Sequence, residues 1–257
     1  GYEIPEYSRQ AKGLPIINLL QIEKGEKINS IISISNEHES EYLMFATKNG
    51  VVKRTELSEF DNIRKSGKIA ISLKENDELI SVRKTCGKDE IVIGASNGRM
   101  VRFDENDIRS MGRTASGVKG IDLGDSYVVG AEVIKPGQKI LIVTENGYGK
   151  QTFIDEYRLT HRGSKGVKAL NVTDKNGMMV ALKCIDVEDN YDVMIITNSG
   201  IIMKMPLEQI STLKRATQGV RLINLKDDQK VSTVAVVEKE DLTEDSENEL
   251  ESVEKEV

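Results

Sequence analysis

Thr47-Lys48-Asn49-Gly50 decides the fold, because the stretch returns three more times. The later copies are Ala95-Ser96-Asn97-Gly98, Thr144-Glu145-Asn146-Gly147 and Thr197-Asn198-Ser199-Gly200. Their glycines lie 48, 49 and 53 residues apart. Each copy stands between two β-rich runs, and Asn-Gly supplies the two positive-φ positions of a type I′ turn. The spacing predicts four tight hairpins, over residues 42–54, 90–103, 139–152 and 192–205.

A second register keeps step with the first. Each hairpin is followed by an anchor glycine with apolar residues four and six places later, on one face of a strand. The set is Gly13 with Ile17 and Leu19, Gly67 with Ile71 and Leu73, Gly117 with Ile121 and Leu123, Gly166 with Leu170 and Val172, and Gly219 with Ile223 and Leu225. A third run closes each unit: Ile28–Ile34, Leu79–Val82, Val128–Val133, Met178–Leu182 and Val231–Val237. About four short strands per unit of about 50 residues, with no good amphipathic helix, mean propeller-like blades. Gly13 lacks a preceding hairpin, so the first blade is expected to be truncated, leaving four complete hairpins and five anchors. The absence of Trp rules out a Trp-Asp signature, and there is no Gly-Gly doublet of the kelch type.

Hydrophobic residues are 38% of the 257 and charged residues 30%, enough for a packed core. No apolar run is long enough to span a bilayer. No signal-like segment opens the chain, so a cytoplasmic location is expected. Cys86 and Cys184, with only His38 and His161 beside them, are too few and too scattered for a metal site. They read as reduced core cysteines in equivalent places of two repeats. The net charge of −6 hides a split. Residues 238–257 carry ten acids against Lys239 and Lys255, which leaves residues 1–237 at +2. The expected division is a β domain over 1–237 and an acidic disordered tail over 238–257. The tail is a solubilising segment or an internal competitor for a basic surface.

The cations keep the register too. Arg9, Arg113, Arg162 and Arg215 stand four places before an anchor glycine, and Arg64 three. Lys12, Lys65 and Lys165 precede an anchor directly or by two places; Lys68, Lys119, Lys168 and Arg221 follow one by one or two. Hairpins end in Lys53 and Arg54, Arg102, Lys150 and Lys204. In a radial fold, repetition sets such residues at one height and makes a belt. A curved cationic belt suits the backbone of duplex DNA, and the anchor glycines would let backbone N–H groups approach phosphate oxygens. Without aromatic interleaving or a recognition helix, single-strand stacking and base reading are not expected.

Several stretches resemble the C-terminal DNA-wrapping domain of the DNA gyrase A subunit. They are Glu3-Ile4-Pro5-Glu6-Tyr7-Ser8-Arg9-Gln10-Ala11-Lys12-Gly13, Phe45 to Arg54, Thr144 to Lys150, and Gly112 to Ile121. The resemblance covers residues 1 to about 237. It implies an all-β fold, a six-bladed β-pinwheel with its own strand order, and DNA wrapped on the rim with positive handedness. It implies a non-catalytic part of an ATP-dependent type II topoisomerase. The implied partners are double-stranded DNA, the gyrase B subunit, and the N-terminal part of the gyrase A subunit. No cofactor is expected in this chain; ATP and Mg²⁺ belong to the holoenzyme, and the implied location is the nucleoid. The family's signature box, Gln-Arg-Arg-Gly-Gly-Lys-Gly, does not occur. Thr160-His161-Arg162-Gly163-Ser164-Lys165-Gly166 is its nearest counterpart, and the box is expected upstream of Gly1. The alternatives are the C-terminal domain of topoisomerase IV, which shares the fold, and a protein-binding propeller scaffold. An enzyme is disfavoured, since Gly147-Tyr148-Gly149-Lys150 lacks phosphate-loop spacing and lies on a hairpin.

Overall fold

The computed structural model describes residues 11–15, 18, 26, 28–34, 41–61, 67–187, 190–226 and 228–239. Its regular structure is strands and short 3-10 turns. The first hairpin is β1 (Tyr42–Thr47) with β2 (Val51–Glu56), and β3 (Leu79–Thr85) closes that unit. The second is β4 (Glu90–Ala95) with β5 (Arg99–Asp104), followed by the anchor strand β6 (Val118–Lys119) and the closing strand β7 (Val128–Ile134). The third repeats the scheme as β8 (Lys139–Thr144), β9 (Tyr148–Phe153), β10 (Val167–Lys168) and β11 (Met179–Ile185). The fourth has β12 (Tyr191–Thr197), β13 (Ile202–Pro206), β14 (Val220–Arg221) and β15 (Val231–Glu238).

The sheets are not built from consecutive strands. Their orders are β3-β1-β2-β6, β10-β5-β4-β7, β11-β8-β9-β14 and β13-β12-β15, all antiparallel. Each closing strand returns to the first strand of its own hairpin. Each anchor strand instead crosses to the second strand of the preceding unit's hairpin: β6 joins β2, β10 joins β5 and β14 joins β9. Units therefore interlock by one strand. Closing strands pack in succession, β3 on β7, β7 on β11 and β11 on β15, and form an inner column. The anchor strands then lie on the opposite, outer edge of each blade.

The four hairpins form where the spacing put them, but the turns differ. No hairpin asparagine has positive φ; only the glycines do, at +80°, +79°, +79° and +82°. The first three loops are three residues long and the fourth is four, each with the glycine N–H donating to the carbonyl three residues back (Gly50 to Thr47, 3.0 Å). That is a type I turn with a glycine bulge, not type I′. The asparagines serve another purpose. Asn146 Nδ2 donates to the Asp174 and Lys175 carbonyls at 3.1 and 3.2 Å, and Asn49 and Asn198 make similar bonds to their own units' loops.

The core lies between blades. One cluster joins Met44 and Val52 of the first blade to Ile91, Ile93 and Phe103 of the second. Another joins Val92 and Met100 to Ile140, Ile142 and Tyr157, whose phenol burial pushes up to about 12. At about 25 cal/mol per Å² of apolar surface, such faces hold the blades together only when stacked. Of the expected closing runs, Ile28–Ile34 takes no strand, and Ile31 is 77% exposed. Cys184 is largely buried and its thiol is raised well above the usual range by burial. Cys86 is exposed, contrary to its reading as a core residue, because it lies just past the end of β3 at Thr85, whereas Cys184 lies within β11. Among the described residues, no helix is long and apolar enough to cross a membrane.

Candidate nucleic-acid interface

The anchor glycines make the interlock possible. Gly117, Gly166 and Gly219 have φ of +94°, +66° and +81°. A Cβ on Gly117 would lie 2.5 Å from the Val52 carbonyl oxygen, and one on Gly219 2.8 Å from that of Gly149. One on Gly166 would overlap Met100 O. Only glycine allows this approach. The following N–H groups then cap the preceding unit's hairpin: Gly120 and Ile121 donate to Gly50 O, Ala169 and Leu170 to Gly98 O, Leu222 and Ile223 to Gly147 O, at 2.8–3.4 Å. The apolar residues at four and six places sit over that hairpin's glycine, as Ile121 and Leu123 do over Gly50. The two sequence registers are thus two halves of one contact between neighbouring units. The glycines serve the neighbouring backbone, where phosphate had been expected.

A relay of arginines links the anchor loops. Arg113 Nη1 donates to Ile69 O at 3.2 Å, Arg162 Nη1 to Lys119 O at 3.0 Å and Arg215 Nη1 to Lys168 O at 3.1 Å. Each arginine four places before one anchor thereby grips the carbonyl two places after the previous anchor. A backbone row runs alongside: Ser72 N to Ala115 O (3.3 Å), Asp122 N to Ser164 O (2.9 Å) and Asn171 N to Thr217 O (3.0 Å). Carbonyls orient these guanidiniums without cancelling their charge, and a guanidinium has five N–H donors. Among the described residues, no carboxylate pairs with Arg162, Arg215, Lys165, Lys168 or Arg221, while Arg113 is 3.8 Å from Glu59. Lys165, Lys168 and Arg221 are exposed. Lys119 is 58% exposed and pairs with Asp122 at 2.7 Å, which holds that carboxyl below its usual range. Lys68 donates to the Glu59 and Asp61 carbonyls, and Lys12 is exposed. Arg9, Arg64 and Lys65 lie outside the described residues.

The hairpin-end cations part from the belt. Lys53 and Lys150 are 0% exposed. Lys53 Nζ donates to Ala70 O and Arg113 O; Lys150 Nζ donates to Lys214 O (2.8 Å), Arg215 O (2.6 Å) and Thr217 Oγ1 (3.2 Å). Desolvation lowers both ammonium groups to about 8, so both remain charged at neutral pH. Their strands are buried along nearly their whole length, so no alternation turns a lysine outward. Arg54 is 7% exposed and bonds to Glu105 and Asn106. Arg102 pairs with Glu90 at 2.5 Å and donates to Ile154 O and Tyr157 O. Lys53 and Lys150 fix loops that carry the relay, Arg54 and Arg102 hold the turns that follow the hairpins, and none of the four faces solvent as a belt would. Lys204 is half exposed but pairs with Asp192 at 3.0 Å.

Other cations meet near the relay without any repeat signal. Lys175, Lys226 and Lys230 come from loops after the anchors and converge with Arg221 beside the Gly147 turn. Cys86, Asp89 and Glu105 also cluster, but their polar atoms are engaged: Glu105 accepts from Thr85, Asp89 N and Arg54, and Asp89 accepts from Cys86 N.

The model of the family described as "DNA gyrase C-terminal domain, beta-propeller" matches residues 1–35, 41–86, 89–135, 138–186 and 191–238. The DNA gyrase A subunit of Staphylococcus aureus strain MRSA252 is 50% identical over 258 residues, covering 98% of this chain and 29% of the relative. Its counterpart from Staphylococcus epidermidis strain ATCC 12228 is 50% identical over 246 residues, covering 94% and 27%. The chain thus spans under a third of these relatives' length. Among solved structures, the C-terminal domain of DNA topoisomerase IV superposes with a TM-score of 0.81 at 29% identity, over 94% of this chain and 75% of that one. A DNA gyrase A C-terminal domain superposes at 0.74 and 23% identity, over 88% and 76%, and supports the fold alone. With matches running through every blade, the chain belongs to the DNA gyrase C-terminal domain family of β-propellers.

Proposed function

We propose that this chain binds duplex DNA by its backbone, without sequence preference, and bends it around the outer edges of the blades with positive handedness. In the holoenzyme that wrap supports ATP-dependent negative supercoiling, with catalysis in other parts of the gyrase A and B subunits. The single observation carrying this reading is the relay of Arg113, Arg162 and Arg215, which keeps cations at one place on successive blades and holds them by carbonyls. Lys12, Lys68, Lys119, Lys165, Lys168 and Arg221 belong to the same belt, with Arg9, Arg64 and Lys65 by register. Bending a 20–30 bp segment through 40–90° costs about 1–6 kcal/mol, which charge-assisted phosphate contacts offset. Two cations at each of five anchors would neutralise roughly ten phosphates and give a slope of log K against log salt of about −9.

One observation favours a second reading, the holding of DNA for relaxation or decatenation: the higher superposition score belongs to the topoisomerase IV domain. Closing nicked plasmid with ligase in the presence of the chain separates the two. A positive linking-number change supports the wrap. Tight, salt-sensitive binding without such a change supports the second reading, and no binding at low salt removes both.

A further inference from the structure

Beside the Gly147 turn lies a hollow of about 310 Å³, lined by Tyr148, Lys175, Arg221, Lys226 and Lys230 together with neutral side chains. Among the described residues its lining has four cations and no acid, in a chain of net charge −6. Tyr148 organises it. Its hydroxyl accepts from Arg221 Nη2 at 2.9 Å and Nε at 3.3 Å, which leaves the phenol proton free to point into the hollow. Its ring carries Arg221 at 5.5 Å on centroid distance and the Lys175 ammonium at 5.7 Å. Behind the turn, Glu145 stands 3.8 Å from Lys230 and accepts the Met178 N–H at 3.0 Å. The hollow beside the Gly98 turn makes the contrast: Arg99 and Lys165 there face Asp122 and Asp125.

We propose that the Gly147 hollow is a phosphate-binding site, filled by the DNA backbone as it passes from Arg221 toward Lys175 at one blade of the belt. The inference rests on the DNA-binding reading above. Converging ammonium and guanidinium groups with a phenol donor suit the tetrahedral oxygens of a phosphodiester, and a free polyphosphate offers the same chemistry.

The test compares the 257-residue chain with its Lys175→Gln/Lys226→Gln variant. Both lysines are exposed. Lys88→Gln/Lys135→Gln, exposed and outside the anchor loops, controls for net charge. The expected result is a log K against log salt slope shallower by about 1.8, the loss of two phosphate contacts, in the first variant and not in the control. In parallel, tripolyphosphate is titrated without DNA and read from the Arg221 Nε–H and Tyr148 resonances. If the slope matches the control but tripolyphosphate shifts those resonances only when Lys175 and Lys226 are present, the site stands and its ligand is a free polyphosphate. The absence of both effects overturns the proposal. Should the unaltered chain fail to bind DNA, the reading in the preceding subsection falls, and the tripolyphosphate arm alone decides the site.

Discussion

Lysine and arginine do opposite work at the inner and outer edges of the blades. On the inner column, Arg83 of β3 holds Glu132 of β7 through Nε at 2.5 Å and Nη2 at 2.8 Å, and Lys183 of β11 reaches the same carboxylate at 3.3 Å. Three blades are joined there by two cations that share one carboxylate, which offsets half of their charge. On the outer edge, Arg113, Arg162 and Arg215 join blades just as directly, but each grips a carbonyl. A carbonyl orients a guanidinium and leaves its charge in place. The inner edge therefore holds its cations on a counter-charge, and the outer edge holds its cations on neutral carbonyls. Between them stand Lys53 and Lys150, whose buried ammonium groups hold the carbonyls of the very loops that display the relay.

The sharpest way to break the outer edge is at its glycines. Gly166→Ala should lower stability by about 3 kcal/mol, combining left-handed strain with overpacking against Met100. Gly137→Ala has φ of +83° but open space around it, and should cost about 1 kcal/mol. Chemical denaturation of both measures the difference. Equal losses would mean that close approach does not govern the interlock.

Lys150→Met should cost about 1–3 kcal/mol by leaving the Lys214 and Arg215 carbonyls without a donor. Its pH signature is specific. Because the folded-state pKa is lowered from 10.5 to about 8, the unfolded chain holds more protons between those values. The lysine's contribution to stability therefore rises from pH 8 to 10.5, and the gap between the unaltered chain and the variant should widen over that window. A constant gap would contradict the burial of a charged group.

Glu132→Gln and Arg162→Gln test the comparison as a pair. The first should cost about 1 kcal/mol, since it leaves Arg83 and Lys183 partly exposed without their counter-charge, and should leave the salt slope of DNA binding alone. The second should change stability by under about 1 kcal/mol and make that slope shallower by about 0.9. A reversed pattern would mean that the inner edge, not the outer, meets DNA. The smallest effect is expected from deleting residues 240–257. That removes nine acids and one lysine, and as an internal competitor's loss it should tighten DNA binding a few-fold at low salt and not at high salt. Unchanged affinity would leave the segment a solubilising role.

Much of the fold was legible. Two glycine registers in step announced repeated hairpins and anchor strands; all four hairpins form, and the anchors at Gly117, Gly166 and Gly219 carry strands, while the run after Gly67 takes none and Ile17 and Leu19 lie outside the described residues. What periodicity could not reveal is which hairpin an anchor strand joins. Gly166 meets Met100 of the second hairpin, and only the three-dimensional packing chooses that partner over the third hairpin just before it in the chain. The turn type was misread because Asn146 reads as a positive-φ residue in sequence, yet its side chain is held by the Asp174 and Lys175 carbonyls. The belt was legible where cations sat in the anchor loops or on the short anchor strands, as at Arg162 and Lys168. It failed in the hairpin strands: Lys53 and Lys150 look like exposed charges, and the burial of both faces of β2 and β9 takes them inside. Lys175, Lys226 and Lys230 escaped because they keep no register, although two of them crowd the segment after the last anchor.

The most direct test is binding to a duplex of roughly 150 bp, about one persistence length, across a salt series, paired with ligase closure of nicked plasmid. A slope near −9 with a positive linking-number change is the predicted result. Salt-independent binding, or none at low salt, would contradict a cationic outer edge and favour a protein-binding scaffold.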